Sequence, residues 1–224
     1  MPAAAGLAGA RRAPAQGLAD PALRAHPGVP LSTKDAIVAV AMDLFGRQGY
    51  HATTIAQIEA AAGLSAGAGG LYRHFKSKRA LLEEGLNRQA DAGRPLLGYL
   101  ADPGALRGLS RQDRFLAVAR AGLQRLGEER DVNRLLLRDL ASFPDLLEQV
   151  RARELSRVHE ALTEFVRRES PEAGDPAALA AVLMAAVSHY WIMSDVFGGQ
   201  HPHGVDADRF LVTLAGLAAG HPNG

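Results

Sequence analysis

The chain contains no cysteine, which excludes a disulfide framework and any thiolate site and suits a reducing interior. It also has almost no net charge, with 25 basic residues against 24 acidic ones. No bulk field therefore draws the whole molecule to nucleic acid, and any such contact has to come from a local concentration of basic residues. The longest apolar run, residues 177–187, is well short of the roughly 18 residues a membrane span needs. The start, MPAAAGLAGARRAPAQG, places its arginines after the apolar stretch, the reverse of a secretory signal. Runs of alternating β-branched residues are missing, so no strand is expected. G-x-G-x-x-G and P-loop patterns are absent as well, and no Glu-x-x-His falls on the later helical segments, which argues against a carboxylate-bridged di-iron bundle. No cofactor, metal or membrane partner is expected, and the location expected is cytoplasmic.

What is present is helical grammar in a globular composition of 47% hydrophobic and 22% charged residues. Residues 1–31 are rich in Ala, Pro, Gly and Arg without periodicity and read as a disordered tail. Ser32-Thr33-Lys34-Asp35 is a capping box that opens a helix with Ile37, Val40, Ala41, Leu44 and Phe45 on one stripe; Gly49 ends it. Thr54-Ile55-Ala56-Gln57 opens a second helix, which Gly63 stops; Thr53 is the alternative cap. Ser65 is expected to start a third helix running to about Phe75, and Ser77 a fourth over 77–92 with Glu84 one turn before Arg88. Further on, Ser110-Arg111-Gln112-Asp113 and Ser142-Phe143-Pro144-Asp145 read as capping boxes, with Asp131 as a cap between them. The helix after Pro144 runs to about Glu169. Asp175-Pro176 is an N-cap followed by proline at the first helical position, and a last amphipathic segment spans 206–219. About nine helices are predicted.

Gly63-Leu64-Ser65-Ala66-Gly67 fits G-x-S-x-G, the pattern of a hydrolase nucleophile elbow. That motif needs a strand before the serine, and here a helix precedes it. No positioned base accompanies the hydroxyl. No catalytic residue is assigned, and Ser65 is read as a helix cap. The remaining pattern is helix, short turn, helix, an arrangement whose second helix can lie in a DNA major groove. It is followed by Leu71-Tyr72-Arg73-His74-Phe75-Lys76-Ser77-Lys78-Arg79, which carries four Lys or Arg and no acid. Such a cluster can neutralise phosphates, and the start of the helix after Ser77 adds N–H donors.

FGRQGYHATTIAQIEAAAGLS and GGLYRHFKSKRALL together resemble the N-terminal domain of TetR-family transcriptional regulators over residues 32–92. The resemblance implies an all-α fold: a three-helix helix-turn-helix DNA-binding domain at 32–78, the fourth helix as a link, and a helical effector-binding and dimerisation domain at 93–224. It implies that Thr54 caps the second helix close to phosphate and that Tyr72, His74 and Lys78 touch the sugar-phosphate backbone. Ser65 and the residues after it open the recognition helix. The candidate DNA-contacting set is Thr53, Thr54, Ser65, Ala66, Ala68, Gly69, Gly70, Tyr72, Arg73, His74, Lys76 and Lys78. The sequence departs from the family pattern at Ala66-Gly67-Ala68-Gly69-Gly70, which is longer than usual and glycine-rich. Each helical glycine costs about 1 kcal/mol relative to alanine, so part of this segment is expected to be turn. Base readout then falls to Arg73 or similar side chains, with Arg11, Arg12 or Arg24 of the tail as minor-groove candidates.

Residues 177–197 are apolar nearly all round, the mark of a helix covered on several faces. One face can pack against a partner subunit while Met184, Tyr190, Trp191 and Met193 approach a cavity. Arg138 and Phe143 complete the candidate effector pocket, whereas most of Arg134, Arg151, Arg153 and Arg157 read as solvated helix faces. His201-Pro202-His203 is too sparse for a metal site. By the resemblance, helices near 176–197 and 206–219 form a homodimer bundle. The expected function is a ligand-responsive repressor that binds a palindromic double-stranded DNA operator and is released by a small-molecule effector. The alternative is an all-helical carrier or enzyme without DNA binding.

Overall fold

The computed structural model describes residues 32–92, 94–102 and 104–220. The predicted tail at 1–31, with Arg11, Arg12 and Arg24, lies outside them. Among the described residues there are ten α-helices and no strand. They are α1 (Thr33–Gln48), α2 (Ile55–Ala61), α3 (Lys78–Ala92), α4 (Arg94–Ala101), α5 (Arg111–Glu128), α6 (Arg130–Arg138), α7 (Pro144–Val150), α8 (Ser156–Glu169), α9 (Pro176–Val196) and α10 (Ala207–Ala218). A π-turn, Arg151–Leu155, joins α7 to α8 without a break, so the long helix expected after Pro144 forms with one wide turn inside it.

Several predicted caps form as read. Thr54 and Gln57 close a full capping box on α2, Ser110 accepts from the Asp113 amide, Asp175 from Ala178, and Asp206 from Arg209. The Ser77 hydroxyl accepts from the Ala80 amide at 3.0 Å at the head of α3. Two predicted caps do not form. Asp131 lies inside the first turn of α6, whose N-cap is Glu129. Ser142 ends a 3-10 turn, and α7 starts at Pro144 after Phe143, without a side-chain cap. Proline fixes that start by itself, because its ring presets φ for the first helical position.

Two hydrophobic cores form. The first gathers Ile37, Ala41, Phe45, Ile58, Leu71 and Leu82 of the N-terminal helices with Leu135, Leu140, Leu146 and Val150 of α6, α7 and the turn between them. The second gathers Phe115, Leu162, Phe165, Leu183, Val187 and Leu211 from α5, α8, α9 and α10. α6 packs along α1, and α7 touches α3, so these two later helices join the first core. α9 is long and apolar enough, by length and composition, to cross a membrane, which the run at 177–187 understated. Here Ala180, Leu183, Val187, Tyr190 and Trp191 face the core, while Val182 and Val196 on its other side are exposed.

Candidate nucleic-acid interface and ligand cavity

α2 ends in a Schellman motif. Gly63 takes φ 74°, its amide donates to Ala60 O at 3.1 Å, and the Leu64 amide donates to Glu59 O at 2.8 Å. The chain then departs from the predicted third helix. Residues 65–69 form turns, with Gly67 and Gly69 left-handed at φ 75° and 73°. Only a 3-10 turn, Gly70–Arg73, follows. Ser65 therefore caps no α-helix; its carbonyl accepts from the Ala68 amide at 3.1 Å. The physical reason is local, since two residues at positive φ cannot continue a right-handed helix.

What shapes this segment is Glu59, a fully buried residue on α2. Its carboxylate accepts from the Gly67 amide at 2.7 Å and the Leu71 amide at 3.0 Å. One side chain thus holds both ends of the glycine-rich stretch. Sequence reasoning missed it, because a lone acid on a short helix carries no signal of its long-range partners.

The segment presents Ser65, Ala66, Ala68, Tyr72, Arg73, His74 and Lys76 to the surface, while Gly69 and Gly70 are half-buried. Tyr72 is 57% exposed. Arg73 and Lys76 have no ion pair among the described residues, so the positive charge there is uncompensated. Thr54 is exposed at the head of α2. Two predicted contacts are placed otherwise. Thr53 is buried, and its hydroxyl donates to Gly49 O at 2.7 Å, which spends it on the α1–α2 turn. Lys78 is half-buried; its ammonium donates to Tyr50 O and Thr53 O, both at 2.8 Å, and sits 4.3 Å from the centre of the Tyr50 ring. Burial pushes its pKa down from the ordinary 10.5. Lys78 fastens the α1–α2 turn to the head of α3. Arg79 is drawn off as well, by an ion pair with Asp145 on α7.

The second core holds a partly open cavity of about 150 Å³. Phe115, Val118, Leu162, Leu183, Val187 and Leu214 supply much of its apolar wall, and Arg125, Glu129, Asn133, Glu154 and Ser188 are the polar residues that line it. Of the six predicted pocket residues, only Met184 lines this cavity. The others are engaged elsewhere. Arg138 donates to Phe45 O and Gly46 O on α1. Phe143 packs edge-on against Tyr50 in the first core. The Tyr190 hydroxyl donates to Val205 O at 2.9 Å, and its ring stacks on His201 and Phe210. Trp191 is buried and Met193 half-buried, neither of them on the cavity wall. These aromatics were chosen for size and apolar context, but both properties serve packing equally well. Arg134 and Arg151 form ion pairs with Asp195 and Glu148, and Arg153 donates to Asn87.

Arg125, which the sequence left unmarked, organises the polar end. Its Nε donates to Glu129 Oε1 at 2.7 Å, and its Nη2 donates to Glu154 Oε1. Glu154 belongs to the π-turn, a device often found where a helix must serve a site. Burial pushes the Glu154 carboxyl above its ordinary 4.5; Arg125 opposes this and Glu129 reinforces it. α6 leads away from this end. Asn133 lines the cavity, while Asp131 on the same helix lies so close to Gly46 of α1 that an added Cβ there would fall 2.3 Å from the Asp131 Cβ. Cavity and α1 are thus separated by one α-helix.

Residues 37–84 match the sequence pattern of bacterial regulatory proteins of the tetR family. Residues 37–84 therefore carry the TetR-family pattern of a regulator's N-terminal domain. A 58-residue stretch is 40% identical to the HTH-type transcriptional repressor KstR2 of Mycolicibacterium smegmatis, covering 26% of this chain and 27% of that protein. The match thus spans about a quarter of the curated relative's length. Solved structures extend the likeness, in fold alone, to most of this chain. A TetR-like regulator from Rhodococcus sp. RHA1 superposes with a TM-score of 0.64 at 21% identity, over 85% of this chain and 96% of that one. AibR in complex with isovaleryl coenzyme A and operator DNA gives a TM-score of 0.59 at 20% identity, over 85% and 98%.

Proposed function

We propose that this protein is a ligand-responsive transcriptional regulator of the TetR family: a homodimeric repressor that binds a palindromic double-stranded DNA operator and releases it when a small molecule fills the cavity. The observation that carries this reading is α6, which lines the cavity with Asn133 and packs against α1 through Asp131 and Arg138. A ligand that moves α6 moves the helix-turn-helix unit. Tyr72, Arg73, His74 and Lys76 supply backbone contacts and positive charge to DNA, with Thr54 at the head of α2. Exposed Val182, Val196 and Phe197 at α9, with Val212 and Leu217 on α10, supply an apolar face suited to a two-fold partner. The relatives support the reading, since KstR2 is a repressor and AibR is seen with both an acyl coenzyme A and operator DNA. A cytoplasmic location goes with it. A carrier or enzyme would account for the cavity but would leave the uncompensated basic face without a role.

Each ligand shifts the equilibrium only by its differential affinity; a coupling of about 1–3 kcal/mol weakens operator binding some 5–150-fold. Selection of genomic fragments by the purified protein, beside Tyr72→Ala/Arg73→Ala at two salt concentrations, tests the reading. Recovery of one palindromic site by the wild type alone is expected. Equal recovery by both proteins, or retention of no DNA at low salt, would overturn it.

A further inference from the structure

The polar end of the cavity is unbalanced in charge. One guanidinium, Arg125, faces two carboxylates, Glu129 and Glu154, with side chains only 14%, 11% and 16% exposed. Arg125 bonds one oxygen of each. The second oxygen of each carboxylate accepts from no other group among the described residues, which leaves two acceptors of negative charge at an apolar cavity. The volume sets the scale, since a dry apolar cavity of about 150 Å³ holds a molecule the size of benzene.

Resting on the reading of this cavity as the effector site, we propose that the effector is a small organic monocation. It is a primary or secondary amine with an apolar body of roughly six to ten heavy atoms, its ammonium set against Glu129 and Glu154 and its body among Phe115, Leu183 and Val187. Ammonium is a donor-only group, matched to two carboxylates with spare lone pairs. A carboxylate ligand of the same size meets two like charges, and the one cation that would receive it is already shared between them. Burial already disfavours the charge on Glu154, and an arriving cation relieves that cost. The site also explains the switch. Glu129 is the junction residue between α5 and α6, and Glu154 lies in the π-turn leading back to α7. An ammonium that draws both carboxylates to itself slackens the grip of Arg125 on both connections to the DNA side.

The test is calorimetric titration of the full-length protein with three probes of similar body: 2-phenylethylamine, 3-phenylpropionate and 2-phenylethanol. The amine is expected to bind at least tenfold more tightly than the carboxylate. Glu154→Gln and Glu129→Gln should each weaken the amine at least fivefold while leaving the alcohol within twofold, which shows that the cavity is still folded. A carboxylate that binds as tightly as the amine, or an absence of binding by all three, overturns the proposal. Fluorescence anisotropy on the selected operator fragment separates the two levels. Amine binding without DNA release sinks the switch and leaves the ligand class standing. Carboxylate binding with DNA release sinks the ligand class and leaves the switch.

Discussion

The two cores of this protein are built to different standards. The first is closed: Ile37, Phe45, Ile58, Leu71, Leu82 and Leu135 are fully buried, and its buried polar groups, Glu59 and Thr53, have partners. The second holds a cavity and a carboxylate whose charge burial disfavours, beside a helix with a wide turn in it. Packing defects of this kind lower local stability and give a region room to rearrange. The difference teaches a division of labour, in which the part proposed to read DNA holds its shape and the part proposed to sense ligand can change it.

Substitutions can break or sharpen that contrast. The largest effect is expected for Glu59→Leu, which strands the Leu71 and Gly67 amides at a cost of about 3 kcal/mol. Urea denaturation should show that loss, and operator binding should disappear with it. The same change of residue type should then have opposite signs in the two cores. Gly46→Ala drives a methyl into the Asp131 backbone and should destabilise by about 2 kcal/mol. In Gly122→Ala the new Cβ meets its nearest side-chain atom, on Val187, at 3.9 Å, and the variant should gain about 1 kcal/mol from helix propensity. It should also take volume from the cavity. Equal shifts in midpoint for the two variants would erase the distinction between the cores. Arg73→Ala, on the exposed face, should change stability by less than about 0.5 kcal/mol. Its signature is in binding, as a salt slope flatter by about one unit.

The smallest effect concerns pH. Because the Glu154 pKa is raised on folding, the folded chain holds a proton there that the unfolded chain has released. Between the ordinary 4.5 and its raised folded value, this group therefore contributes less stability as pH rises. Stability of the wild type minus that of Glu154→Gln, measured by urea at a series of pH values, should fall across that window. A rising difference would mean that the Arg125 pair outweighs desolvation.

The sequence showed most of this where the cause was local. Thr54, Ser77, Ser110, Asp175 and Asp206 cap helices through residues within three positions of themselves, so their roles were visible in short strings. The recognition segment was legible only as a doubt, because glycine reports permission to turn rather than the turn itself. Its shape comes from Glu59, whose amide partners lie 8 and 12 residues ahead. The cavity was hidden for a different reason. Its walls are ordinary Leu, Val and Ala from several helices, and no single segment shows that they fail to meet. Arg125 and Glu129 form an i, i+4 pair that looks like any solvated helix face until Glu154 arrives from another helix. The string around Lys78 shows its charge but not its carbonyl partners, which lie 25 and 28 residues back in the α1–α2 turn.

The wide turn at Arg151–Leu155 makes a crankshaft of the rod from Pro144 to Glu169. Val150 faces one core and Leu162 the other. At 3.6 residues per turn throughout, twelve positions would set them about 120° apart, and the wide turn resets that phase. Adding one residue to 151–155, where the wide turn already absorbs an extra one, would leave a sound helix at both ends but rotate one crank by roughly 100° against the other. Spectroscopy of helix content would register almost nothing, while the parts proposed to sense ligand and to read DNA would have lost their common timing. A single added codon is enough to uncouple the two cores without unfolding the chain.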